Sequence, residues 1–131
     1  MPHVNWLAVI AAAASSFVIG GVWYSALFAK AWQGAAGLSD TDVAGGNKAL
    51  IFGGAFVLAL MEAAVFAMFL GPNPAPMLGV GAGFAAGLCW VTASFGISYL
   101  FERRSLKLFL INGGYNTLQF TAIGAVLGFW H

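Results

Sequence analysis

From residue 49 to residue 101 the chain carries a single charged side chain, Glu62. A membrane span needs roughly 20 apolar residues, rising ~1.5 Å each, to cross ~30 Å of hydrocarbon. The stretch is long enough for two spans. Gly71-Pro72-Asn73-Pro74-Ala75-Pro76 divides it, because prolines at alternate positions cannot continue a helix, and a tight hairpin is expected there. Residues 1–29 carry no charge, and none follows Lys107. Between these charge-free stretches stand two polar segments. The first holds Lys30, Asp40, Asp42 and Lys48; the second holds Glu102, Arg103, Arg104 and Lys107. The pattern predicts four spans, at about 5–28, 49–70, 77–101 and 107–130.

Composition narrows the class. The chain is 61% hydrophobic and 7% charged, against about 25% charged in a soluble domain. That excludes a soluble globular domain, a disordered chain and a nucleic-acid binder. One cysteine excludes a disulfide scaffold. A membrane barrel would alternate in ~10-residue segments, and nothing here alternates. The expected fold is an all-α, multi-pass membrane protein: one four-helix domain over residues 1–131. No Lys or Arg precedes the first span, so it is expected to stay in the mature protein rather than be cleaved as a signal.

All 5 Lys and Arg residues fall in the first and third loops. The positive-inside rule puts those loops in the cytoplasm and both termini on the non-cytoplasmic side. Trp6 and Trp130 are then expected at the outer interface, and Trp23, Tyr24 and Tyr99 at the inner one. In the first loop, Ser39-Asp40-Thr41-Asp42 has the spacing of a capping box and predicts a short helix.

Several segments carry a family resemblance. Asn5-Trp6-Leu7-Ala8-Val9 opens span one, and Trp23-Tyr24-Ser25-Ala26-Leu27-Phe28-Ala29-Lys30-Ala31-Trp32 closes it. Leu100-Phe101-Glu102-Arg103-Arg104-Ser105-Leu106-Lys107-Leu108-Phe109 joins spans three and four. Ile111-Asn112-Gly113-Gly114-Tyr115 and Gly124-Ala125-Val126-Leu127-Gly128-Phe129-Trp130 fill span four. Together they resemble the bacterial membrane-protein family catalogued as domain of unknown function 1761. The resemblance implies a small four-span protein of the bacterial inner membrane. It implies no activity.

Helices pack in lipid through small residues, since lipid is as apolar as leucine. Gly79, Gly83 and Gly87 recur at four-residue spacing in span three, and the stripe is expected to continue through Trp90, Ser94 and Ser98. Gly124 and Gly128 lie close to the small-residue face of span four. These glycines are the expected packing faces, and a homo-oligomer joined through the span-three face is expected.

Asn112, Tyr115, Asn116 and Gln119 lie at i, i+3, i+4 and i+7, one side of a helix. Unsatisfied amides are costly in hydrocarbon, so this face points into the bundle or into water. Two readings stay open: hydrogen bonds between helices, or the wall of a solute path opening to the cytoplasm. Matching spans by depth places Glu62 in one midplane layer with Ser15, Ser16, Trp90 and Gln119, of which Ser15, Ser16 and Gln119 are its candidate partners.

Chemistry for catalysis is scarce. Cys89 is expected to be a buried, inert thiol. His3 and His131 have no carboxylate or sulfur partners that would complete a metal site. No nucleophile–base pair or acidic dyad appears, so no enzyme, no cofactor and no metal are expected. An ionisable residue inside a span points to a use. The leading expectation is a small oligomeric transporter or channel with a proton- or cation-linked carboxylate. Its candidate path residues are Glu62, Gln119, Asn116, Asn112, Tyr115 and Ser16. The alternative is a structural or accessory membrane protein without a solute path. The bilayer is the one partner the sequence names; substrate and partner protein are not encoded in it.

Overall fold

The computed structural model describes residues 4–71 and 74–130. Among them every regular element is helical: α1 (Trp6–Leu27), α2 (Ala29–Ala36), α3 (Asp40–Ala44), α4 (Lys48–Leu70), α5 (Pro76–Glu102) and α6 (Leu106–Phe129). His3, His131 and the hairpin residues Pro72 and Asn73 lie outside the described residues. α1, α4 and α5 are each long and apolar enough to cross a membrane. α6 is as long, at 24 residues, but Asn112, Tyr115, Asn116 and Gln119 keep its hydropathy below theirs.

The helix starts follow from local chemistry. Asn5, Asn47 and Ser105 each accept a hydrogen bond from the backbone N–H three residues on, at 3.2, 3.1 and 3.1 Å. Each satisfies one of the orphan donors of a first turn. α5 begins instead on Pro76, whose missing N–H is not needed there. Ser39 and Asp42 form the reciprocal capping box, at 2.9 and 3.1 Å. Those bonds hold the exposed Asp42 carboxyl below the ordinary carboxylate range.

α6 is the central helix. α5 packs along it, α1 lies against another side, and α4 leans chiefly on α1. Ala8, Val9, Ala12 and Ala13 of α1, Ala59, Ala63 and Phe66 of α4, and Phe120, Ile123 and Leu127 of α6 form a buried apolar core. This core lies at the end where α1 begins and α6 finishes. At the other end α4 is loosely held: no residue of its first half, Lys48 to Leu58, is buried. The rings of Phe52 and Phe56 still meet Phe17 edge-on, at 6.1 and 5.8 Å.

The closest contact joins α5 and α6. A Cβ on Gly79 would strike the Gly124 carbonyl oxygen and lie 2.9 Å from Gly128 Cα. A Cβ on Gly83 would strike the Phe120 carbonyl oxygen, and one on Gly87 would come within 2.8 Å of Asn116 O. The span-three glycine face, expected to receive a second copy, is therefore occupied within the chain by α6.

The stripe does not continue through Trp90, Ser94 and Ser98, which are exposed. Residues Ala86–Thr92 form a π-helical turn, and it changes the step of the helix. Gly79, Gly83 and Gly87 meet Gly124, Phe120 and Asn116 in even steps of four. The next pair is Thr92 with Gly113, five residues on along α5 but three back along α6, followed by Gly96 with Phe109. The extra residue rotates Trp90, Ser94 and Ser98 outward. Cys89 is likewise exposed on the outer face, not buried as the sequence suggested.

Glycine contacts of this kind give a sign test. Gly81 faces open space, so Gly81→Ala should raise or leave unchanged the melting temperature in detergent, as Ala favours helix by up to ~1 kcal/mol. Gly83→Ala should lower stability by about 1–3 kcal/mol through overpacking. Equal effects at the two positions would contradict the α5–α6 contact.

Candidate functional site

The polar residues of α6 are held in a chain of hydrogen bonds. Tyr24 donates to Asn112 Oδ1 at 2.5 Å, and Asn112 Nδ2 donates to the Tyr99 hydroxyl at 2.7 Å. Asn116 Nδ2 donates to the Asn112 carbonyl at 2.8 Å, and Gln119 Nε2 donates to Asn116 Oδ1 at 2.7 Å. The Ser16 hydroxyl donates to Gln119 Oε1. The Tyr115 hydroxyl sits 3.3 Å from both the Ser16 carbonyl oxygen and Gln119 Oε1. Beside this chain, Trp23 donates to the Ile111 carbonyl at 2.9 Å, and Thr92 donates to the Gly113 carbonyl at 3.0 Å.

A second π-helical turn, Val22–Leu27 in α1, carries the donors Trp23 and Tyr24 to α6. Both residues, with Tyr99, were expected to act as aromatic anchors at the membrane interface. Their polar tips turn inward and tie α1 and α5 to α6. No buried side-chain polar atom among the described residues lacks a partner, as low-dielectric surroundings require.

Glu62 stands apart from this chain. It lines a cavity of about 330 Å³ between α1, α4 and α6. Ser16, Tyr115 and Gln119 supply the polar side of the wall; Phe17, Ala55, Leu58, Ala59 and Met61 supply the rest. All lie near the middle of their helices. The cavity is where the first half of α4 leaves the bundle. Leu58 and Met61 on its rim are each 57% exposed, so its mouth is on the outer side surface of the bundle, not at one end.

The structure thus brings together four of the six path residues read from sequence: Glu62, Ser16, Tyr115 and Gln119. Ser15 is not in the wall; its hydroxyl bonds the Ala12 carbonyl at 2.7 Å. Asn112 and Asn116 are not in it either. Asn116 is buried, and the side-chain amides of both are engaged in hydrogen bonds within the bundle. Thr92, Trp23, Tyr24 and Tyr99 were missed as α6 partners. The tight turn between α5 and α6, which lets Tyr99 fold back on Asn112, was the signal available for Tyr99.

No group of three His, Cys, Asp or Glu residues that could hold a metal occurs among the described residues. Nor does any Lys, Arg or His stand at the depth of Glu62 in any of the four long helices. Among the described residues a charge on Glu62 has no counter-ion.

The hydrogen-bond chain makes a measurable expectation. A double-mutant cycle of Tyr24→Phe and Asn112→Ala, read by unfolding in mixed micelles, should give a coupling of about 0.6–2 kcal/mol. Additive effects would mean the two side chains do not meet.

The family model described as protein of unknown function DUF1761 matches residues 7–128, and the chain belongs to that family. No curated protein and no solved structure matches it.

Proposed function

We propose that this DUF1761 protein is a four-span protein of the bacterial inner membrane, and that it binds and passes a proton or cation at Glu62 as a small oligomeric transporter or channel. The observation that carries the reading is the Glu62 cavity. A carboxyl group faces two hydroxyls and an amide at mid-helix depth, in a space of about 330 Å³, with no cationic side chain of its own. An uncompensated charge there is costly, and a proton or cation from outside removes the cost.

The packing of α6 antiparallel along α5 supports the reading of four spans. If α5 crosses the bilayer, α6 crosses with it, its amides turned inward and Leu110 and Leu118 turned out. Lys30, Lys48, Arg103, Arg104 and Lys107 all belong to the end of the bundle opposite the Gly71–Ala75 connection. That asymmetry supports a cytoplasmic location for this end and an outer location for both termini. In a Cys89→Ser background, Ala75→Cys should label from outside cells with an impermeant thiol reagent, and Asp40→Cys should not. The reverse pattern would overturn the orientation.

The completed hydrogen-bond chain favours a second reading, a structural or accessory membrane protein that moves nothing. Flux separates the two. In proteoliposomes with an imposed pH gradient, wild type should dissipate the gradient, and Glu62→Gln should slow it about tenfold or more. Equal rates in wild type and a Glu62→Gln protein of unchanged melting temperature would leave the structural reading.

A further inference from the structure

The shape of the Glu62 cavity bears on which cation suits it. A small inorganic cation needs several oxygen ligands to replace its hydration shell. The cavity offers one carboxylate beside a hydroxyl pair and an amide that already bond one another: Ser16 to Gln119, and Tyr115 to Ser16 and Gln119. The rest of the wall is apolar or aromatic: Phe17, Ala55, Leu58, Ala59 and Met61, with the ring of Tyr115. That wall solvates hydrocarbon and an aromatic-facing cation, not a bare ion.

Access points the same way. Along the bundle axis, one side of the cavity is closed by the apolar core of Ala12, Ala59, Ala63 and Phe120. On the other side stand Phe17, whose ring meets Phe52 and Phe56, and Tyr115, whose ring meets Tyr24. The open side is the rim of Leu58 and Met61, both exposed at the middle of α4. In a bilayer that rim faces acyl chains. A ligand reaching Glu62 by this route is already dissolved in the membrane.

Resting on the reading of Glu62 as a cation site, we infer that its ligand is a lipophilic organic cation, a quaternary ammonium or phosphonium with hydrophobic substituents, entering sideways from the bilayer. The carboxylate pairs with the charge, Phe17 and Tyr115 face the substituents, and the volume of about 330 Å³ sits within the ~300–1,000 Å³ range of small-molecule sites. Desolvating such a cation costs little, since its charge is spread and shielded, so one carboxylate in an apolar wall suffices.

The test uses tetraphenylphosphonium as the probe, with wild-type protein in lipid nanodiscs and equilibrium dialysis as the readout. Saturable binding is expected in wild type and a loss of about tenfold or more in Glu62→Gln. Ala55→Trp, which fills the cavity without touching the carboxyl group's chemistry, should weaken binding as well. Tetramethylammonium and sodium, which carry the charge without the hydrophobic substituents, should compete poorly. Absence of saturable binding, equal binding by Glu62→Gln, or equal competition by sodium would each overturn the organic-cation assignment. Glu62-dependent dissipation of a pH gradient without tetraphenylphosphonium binding would overturn it too, while leaving the proton reading intact. Saturable Glu62-dependent binding without any flux would support the assignment and remove the transport reading.

Discussion

The fold rests on backbone-to-backbone contact between α5 and α6. Gly79, Gly83 and Gly87 on one helix and Gly124 and Gly128 on the other leave nothing between the two main chains. In hydrocarbon there is no water to expel, so close dispersion contact and hydrogen bonds must do the work that apolar burial does in solution. Once α5 lies this near, its Thr92 and Tyr99 reach the carbonyl and amide groups of α6. α1 then has a fixed surface to pack on, and it brings Ser16, Trp23 and Tyr24 to the opposite side of α6. α4 comes last in this hierarchy, resting on α1 through small residues at Ala59 and Ala63.

Much of this was legible because membrane constraints are coarse and strong. Charge-free runs and a proline-rich break set the four long helices to within a residue or so of their observed ends. The cap at Ser39 was legible because a capping box is a local, two-residue device. Spacing also grouped Ser16, Gln119 and Glu62 correctly, since antiparallel helices of equal length bring their midpoints together. Helix α2 was not foreseen, as Ala29–Ala36 lies inside what reads as a polar loop.

The errors over which way the ends of α1 and α5 face share one physical cause. A periodic reading carries a helical face forward at a constant angle per residue, and two π-helical turns break that rule. No residue type marks Ala86–Thr92 as π-helical, and the turn is stable because Thr92 finds Gly113 across the interface. The outward turn of Cys89, Trp90, Ser94 and Ser98, and the inward turn of Trp23 and Tyr24, are thus consequences of tertiary contact. A sequence with no neighbour in view does not contain them.

The turn at Ala86–Thr92 also means that α5 holds two helical faces spliced out of phase. Each residue of an α-helix advances the side-chain direction by about 100°. Straightening this turn to α geometry at unchanged length would swing everything beyond it by that angle and take Thr92 and Gly96 off α6. Removing one residue along with the turn would not, because Thr92 would then stand four places beyond Gly87, in the same even step as the glycines before it. The turn thus absorbs one surplus residue, and a one-residue gap beside Leu88 would leave both halves of the helix on α6.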